Sequence, residues 1–389
     1  MKYFQVFITS LRLGLTSFGG PIAHLAYFRE EYVVRKKWIS DQGYADLVAL
    51  CQFLPGPASS QVGMAIGLSR AGILGAFLSW FGFTLPSALL LVLFGIGMSN
   101  LNLSLHQHWL HGLKVIAVSV VAQAVLGMAK KLCPDKERIT LAIVSLVIVL
   151  LGNSAFIQIL VLFFAGMFGV FFFKTGSDLP HEPIHKGGRT IGAVFLFLFF
   201  ALLLTLPIAR NMYPYQSIKL FDSFYRAGAL VFGGGHVVLP LLQAAVVPSA
   251  WVTNDLFLAG YGVANAIPGP LFAFGSYLGA VSQTPPNGIL GGILCTCAIF
   301  LPSFLLIVGT LPFWESWRRL PKMRQAMMGL NASVVGILLA ALYDPVWTSA
   351  IYTPKDFAVA ITGLVLLEVW KVPSWVLVLL IVLVSFFIF

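Results

Sequence analysis

Cys51-Gln52-Phe53-Leu54-Pro55-Gly56-Pro57-Ala58-Ser59-Ser60-Gln61 interrupts an apolar stretch with a Pro-Gly-Pro triplet, and Ile267-Pro268-Gly269-Pro270-Leu271-Phe272 does so again at an offset of 213 residues (55 to 268). Proline removes a backbone donor and collides with the preceding turn, while glycine opens conformations closed to other residues, so each triplet predicts a break in a helix. The flanking pieces lie at about 43 to 55 and 58 to 69 in the first copy, and at about 253 to 267 and 270 to 282 in the second. Each is too short to cross roughly 30 Å of hydrocarbon. They read as two broken or re-entrant helix hairpins. Non-helical backbone at membrane depth is tolerated only inside protein or beside a water-filled cavity, and paired broken helices in two halves of a chain point to a transport site.

The composition around these triplets is that of a membrane protein. Of 389 residues, 59% are hydrophobic and 10% charged, against roughly 25% charged in a soluble domain. The mean hydropathy is +0.91. Lipid forbids open sheets, so the chain is expected to be an all-α polytopic membrane protein. The formal net charge of +10 would suggest nucleic acid in a soluble chain. Here the Lys and Arg runs lie at the edges of apolar segments with no aromatic platform for bases, so no nucleic-acid partner is expected. Cys51, Cys133, Cys295 and Cys297 show no metal or disulfide spacing and read as small core residues. His181-Glu182-Pro183-Ile184-His185 matches the HExxH zinc pattern, but Pro180 and Pro183 break the helix that pattern needs. No metal, no cofactor and no enzymatic chemistry are expected.

Outward from the triplets, the chain repeats itself. Arg12-x-Gly14-x-x-x-Phe18-Gly19-Gly20 answers Arg226-x-Gly228-x-x-x-Phe232-Gly233-Gly234 at an offset of 214 (12 to 226). Trp38 answers Trp251, Leu85-Pro86-Ser87 answers Leu301-Pro302-Ser303, and Gly112-Leu113 answers Gly329-Leu330. These landmarks divide the chain into a first transmembrane repeat at 1–173, a polar connector with an extra hydrophobic helix at 174–216, and a second repeat at 217–389. Single apolar segments are predicted at about 3 to 27 and, in the matching place, 217 to 242. Loop charge then orients the halves. Arg29, Arg35, Lys36 and Lys37 follow the first segment, whereas Gln243 to Asn254 holds no Lys or Arg. Asn100 to Trp109 is likewise free of them, while its counterpart carries Arg318, Arg319, Lys322 and Arg324. Since basic loops stay in the cytoplasm, corresponding loops lie on opposite sides, and the repeats have inverted topology.

The helix that restarts after each break presents free N–H groups and the positive end of its dipole, which suits an anion. Ser59, Ser60 and Gln61 add polar groups at the first restart; Asn265 precedes the second break, and Ser276 and Tyr277 follow it. Arg12 and Arg226 sit in apolar segments, where a charge needs a partner or a route to the interface, and a guanidinium can hold an oxyanion bidentately. His24 and His236 flank the Gly-rich turns at non-equivalent positions, and either a proton-carrying or a hydrogen-bonded structural role fits them.

The whole pattern resembles the chromate ion transporter family in its long, two-repeat form. The resemblance rests on Phe18-Gly19-Gly20-Pro21, the Cys51–Gln61 stretch, Phe232-Gly233-Gly234-Gly235-His236, Ile267–Phe272, and the run from Asn331 to Tyr343-Asp344-Pro345-Val346-Trp347. It implies a multi-pass protein of the bacterial inner membrane that exports chromate and confers chromate resistance, with sulfate as the chemically similar competitor. A sulfate or other small-anion transporter of the same build is the alternative. The expected substrate-binding set is Arg12, Arg226, Gly19, Gly20, Pro55, Gly56, Pro57, Ser59, Ser60, Gln61, Gly233, Gly234, His236, Asn265, Pro268, Gly269 and Pro270. The expected partners are a small inorganic oxyanion and the lipid bilayer; the oligomeric state stays open, a homodimer being one option.

Overall fold

The computed structural model describes residues 1–18, 20–100, 107–152, 155–173, 188–232, 237–314 and 320–388. Gly19, Gly233, Gly234, His236, Arg318, Arg319 and the connector at 174–187, with its HExxH match, lie outside the described residues. The first repeat comprises α1 (Lys2–Thr16), α2 (Gly20–Phe28), α3 (Asp41–Phe53), α4 (Ala58–Asn100), α5 (Gln107–Leu132), α6 (Lys136–Gly152) and α7 (Ala155–Phe172). The extra helix α8 (Arg189–Met212) follows. The second repeat comprises α9 (Gln216–Leu230), α10 (Val238–Val246), α11 (Asn254–Ala266), α12 (Phe274–Ala280), α13 (Gly288–Thr310), α14 (Pro321–Ala341), α15 (Pro354–Glu368) and α16 (Ser374–Ile388). Among the described residues there is no strand. Among the described residues, five helical stretches are long and apolar enough to cross a membrane: Ala58–Met98, which turns at Gly72, His111–Lys130, Arg189–Met212, Gly288–Phe313 and Pro321–Asp344. The protein is a multi-pass helical membrane protein built of two repeats.

The hydropathy pattern predicts one segment at 3 to 27 and another at 217 to 242, and the structure corrects both. α1 stops at Thr16 and α9 at Leu230, with Ser17 and Val231 in extended conformation. Phe-Gly-Gly is invisible to a hydropathy scale because it is apolar, yet its glycines disfavour helix and Pro21 lacks a donor. The chain then folds back. α2 continues through a π-helical stretch, Arg29–Arg35, alongside α1. There the Tyr32 hydroxyl lies 3.2 Å from that of Ser10, and Glu31 lies 4.0 Å from Arg12.

At each Pro-Gly-Pro the helix is interrupted. α3 is capped by the Ser40 hydroxyl, which accepts from the Gly43 N–H at 3.1 Å, and ends at Phe53. Gly56 takes φ 116° before α4 begins. α11, capped by Thr253, ends at Ala266; Gly269 takes φ 106°, and one 3-10 turn leads into α12. These values lie in the region that favours glycine. Both pieces return to the end from which they entered. The Arg70 guanidinium lies 5.3 Å over the Trp38 ring, close before α3, and the Gln283 N–H donates to the Trp251 carbonyl at 2.8 Å, close before α11. The chain then reverses at Gly72 (φ 69°) and, in the other repeat, at Gly288 (φ 56°). After each reversal two glycine backbones touch, Gly67 with Gly75 and Gly279 with Gly291, where neither could carry a Cβ. So α4, although helical over 43 residues, is two pieces folded against each other.

The halves interlock through their last helices. α5 packs on α15 and α16 of the other repeat, and α14 packs on α6 and α7. Small residues allow the close approach that packing in lipid relies on. Gly336 rests on the Ala142 carbonyl and Gly329 on that of Ala165, while Ser145 and Ser333 share a hydrogen bond at 3.0 Å. α8 stays peripheral. It is tied to α9 where Tyr225 donates to the Phe199 carbonyl at 2.9 Å and Arg210 meets Asp222 at 3.3 Å.

Gly14 and Gly228 hold the matching interfaces inside each repeat: a Cβ on Gly14 would meet the Phe83 carbonyl of α4, and one on Gly228 the Ile299 carbonyl of α13. Gly14→Ala and Gly228→Ala are each expected to destabilise the protein by about 1–3 kcal/mol through overpacking. Gly97→Ala, where a Cβ meets open space, is the control. Thermal unfolding in detergent checks this, and an unshifted midpoint in both variants would contradict the close contact.

Candidate functional site

Four chain ends meet inside the protein. The Gly56 N–H donates to the Val231 carbonyl at 2.7 Å, and the Gly269 N–H donates to the Ser17 carbonyl at 3.0 Å. Gly56 matches Gly269 and Ser17 matches Val231, so each break is bonded to the end of the other repeat's first helix. The contact is reciprocal, as a two-fold relation between repeats requires. Two further side chains follow the same rule: Ser303 lies against Gly56 and Ser87 against Gly269. Both serines follow a proline inside their helices, Pro302 and Pro86.

The polar groups at this junction are not shared equally. The Gln61 amide donates to the Pro55 carbonyl at 2.7 Å, and His24 Nδ1 lies 3.3 Å from the Ser59 hydroxyl. Ser17 Oγ, Ser60 Oγ, Gln61 Oε1, Thr84 Oγ1 and Ser303 Oγ are buried with no hydrogen-bond partner. Each such atom costs free energy unless water or a solute completes it. At the positions matching Ser59, Ser60 and Gln61, the second repeat has Phe272, Ala273 and Phe274, all buried. The polar chemistry therefore concentrates at the first break, where the positive end of α4 also lies.

The other residues singled out in the sequence fall elsewhere. Arg12 is exposed and faces Glu31, which Arg35 also approaches at 3.7 Å. Arg226 donates to Asp222 at 2.6 Å, and that wholly buried carboxylate also takes Arg210. Each arginine is thus held by a carboxylate. Asn265 donates to the Tyr261 carbonyl at 2.8 Å, and its own carbonyl accepts from the Ser374 hydroxyl at 2.7 Å. Gly20 opens α2, and Pro55, Pro57, Pro268 and Pro270 bound the two breaks.

A cavity of about 370 Å³ reaches the second break. Its lining includes Gly269, Asn265, Gln123, Ser374 and Lys371. Gly269 is buried and Lys371 exposed, so the cavity runs from an open mouth to the junction. The mouth is at the end of α5 that precedes the basic stretch Lys130 to Arg138, because Lys130 pairs with Glu368 there at 2.9 Å. A smaller cavity of about 180 Å³ lies beside Gln158, Gln243 and Asp344, at the matching joint of α6, α7, α10 and α14. No residue of the first break lines it. The sequence reading missed Ser303, Gln123, Lys371 and Ser374. Only Ser303 carried a signal, through the duplicated Leu-Pro-Ser. Among the described residues no three metal-ligating side chains come together.

The sequence model of the chromate transporter family matches residues 4–170 and 218–386, once over each repeat. The chain belongs to the chromate transporter family. It is 26% identical over 94% of its length to a chromate transport protein of Cupriavidus metallidurans, covering 88% of that protein. To a chromate transport protein of Pseudomonas aeruginosa it is 26% identical, over 95% of this chain and 88% of the other. A Bacillus subtilis transporter of uncharacterized role matches only 40% of this chain, at 29% identity, but over 86% of its own length. One repeat's length makes nearly a whole protein there. No solved structure matches.

For this member of the chromate transporter family, Gly56→Ala combines a φ that disfavours any side chain, at about 1–3 kcal/mol, with a Cβ driven onto Ser303. Its expected effect is loss of transport at normal expression. Adding Ser303→Gly should restore part of the activity by removing the collision while leaving the φ penalty. A double variant no better than Gly56→Ala would show that the serine does not press on the break.

Proposed function

We propose that the protein is a secondary active transporter that exports chromate, a tetrahedral dianion, across the bacterial inner membrane and so confers chromate resistance. The reading is carried by the junction in which two broken helices from oppositely oriented repeats meet among buried, unpartnered hydroxyls. In it, the interrupted helix pairs are re-entrant hairpins whose tips lie near the bilayer midplane. Residues 1–173 and 217–389 are the two transport units, joined by 174–216.

The oxyanion is held at the first break by the N-terminus of α4 with Ser59, Ser60, Gln61 and Ser303, while Gly56 and Gly269 let the chains approach. Arg12 and Arg226, held by Glu31 and Asp222 that each also take a second arginine, supply positive field and anchoring rather than direct contact. The basic loops mark the cytoplasmic side, so the larger cavity admits substrate from the cytoplasm. Exchange of the two repeats' conformations would close it and open its smaller counterpart outward. The membrane potential favours export of a dianion from a negative interior, by about 2.3 kcal/mol per charge per 100 mV. Transport requires no covalent step.

Everted membrane vesicles containing the protein are expected to accumulate chromate, with sulfate competing. Accumulation no greater than in vesicles lacking it would end the export reading. Stronger uptake of sulfate than of chromate would favour the sulfate alternative. Ser60→Ala and Ser303→Ala should each raise the half-saturating chromate concentration roughly ten- to a hundred-fold, the worth of one hydrogen bond to a charged group. Unchanged values in both would place the anion elsewhere.

A further inference from the structure

We propose that Lys371, set against Glu368 and Lys130, is an anion-loading site at the cavity mouth. The proposal rests on the transport reading for its role but has its own test. Lys371 is the one basic residue among the described residues lining the cavity. Its ammonium lies 3.5 Å from one Glu368 oxygen, while Lys130 takes the other at 2.9 Å. Two ammonium groups share one carboxylate, which leaves an excess positive charge at the entrance.

The backbone fixes this arrangement. Lys371 sits in the turn between α15 and α16 with φ 54°, an uncommon conformation for a side-chain-bearing residue. The turn is locked by the Trp370 N–H on the Val365 carbonyl at 3.2 Å and the Val372 N–H on the Leu366 carbonyl at 2.9 Å. Deeper in the cavity the polar side chains are committed to backbone. Gln123 donates to the Leu367 carbonyl at 3.2 Å, Asn265 to that of Tyr261, and Ser374 to that of Asn265. Lys371 retains donors for a solute, since its ammonium has three protons and one acceptor.

The opposite cavity lacks this feature. Its described lining residues include Asp344 and none that is basic. A small oxyanion is therefore drawn to one mouth and repelled at the other. Both lysine side chains are 69% exposed, so the attraction is screened and should act on encounter more than on the transport step. The anion is a free solute in this proposal; a phosphate headgroup offers the same chemistry and is separated by the lipid arm of the test.

The test measures equilibrium binding of radiolabelled chromate to the purified full-length protein, and chromate uptake into proteoliposomes of phosphatidylcholine alone. At low ionic strength, K371Q should weaken binding and raise the half-saturating concentration roughly two- to five-fold with maximal rate held, the range of an exposed ion pair. K371R should restore both, E368Q should tighten both, and salt should erase the differences. Chromate binding by K371Q equal to wild type at low salt, or an effect that appears only when anionic lipid is added, overturns the proposal. Wild-type protein that binds chromate in a Lys371-dependent way yet moves none would leave the site standing and remove the transport reading.

Discussion

Two backbone hydrogen bonds, Gly56 N–H to Val231 and Gly269 N–H to Ser17, are the constraint around which the molecule is arranged. A helix that stops inside a membrane protein leaves carbonyls and amides with no water to satisfy them, and each unsatisfied group is expensive there. One repeat alone has two such stops, at its first helix and at its Pro-Gly-Pro. The second repeat, turned over, supplies the missing partner for each. Duplication and inversion thus solve a problem that a single unit cannot solve within itself.

That constraint explains several residues that otherwise look decorative. Glycine at 56 and 269 provides the φ that turns the N–H across to the other repeat, and it leaves room for Ser303 and Ser87. Gly14 and Gly228 bring the first helices against α4 and α13 closely enough for Ser17 and Val231 to reach the breaks. The exchange of α5 and α14 between halves, with Gly336 and Gly329 against opposing carbonyls, clamps the junction from outside. Geometry is symmetric in all of this, but chemistry is not. Ser59, Ser60 and Gln61 stand where the other copy has Phe272, Ala273 and Phe274. One half has kept the polar groups, while the other keeps the shape.

Much of this is legible in the amino-acid sequence. The duplicated landmarks revealed two repeats, and the flip in loop charge revealed their inversion, because both depend on residue type alone. Pro-Gly-Pro marks a helix break for local reasons that need no partner. The breaks after Thr16 and Leu230 are not legible there, since Phe-Gly-Gly leaves the hydropathy of a continuing apolar segment. The counter-charges of Arg12 and Arg226 escaped for a different reason. Glu31 lies on the returning helix that a single segment at 3 to 27 hides, and Asp222, an acidic candidate in the sequence, shows its pairing with Arg226 and Arg210 only once α8 is in place. Cavity residues such as Gln123 and Ser374 belong to helices far apart in sequence, and no motif announces them.

The asymmetry of the two cavities follows from one conformation imposed on a nearly symmetric frame. If the two cavities had the same shape, both would reach their breaks and a continuous path would open through the junction. Instead the 370 Å³ cavity reaches Gly269 while the 180 Å³ cavity stops short of Gly56. The break that carries the polar groups is thus the one neither of these two cavities reaches, and the hydroxyls of Ser60 and Ser303 beside it are buried and unpartnered. Leaving them so is unfavourable, which gives a solute with acceptor oxygens a reason to enter. In the proposed transport cycle, an anion accepting from those hydroxyls would favour the arrangement that admits it, and occupancy would be linked to conformation at these atoms.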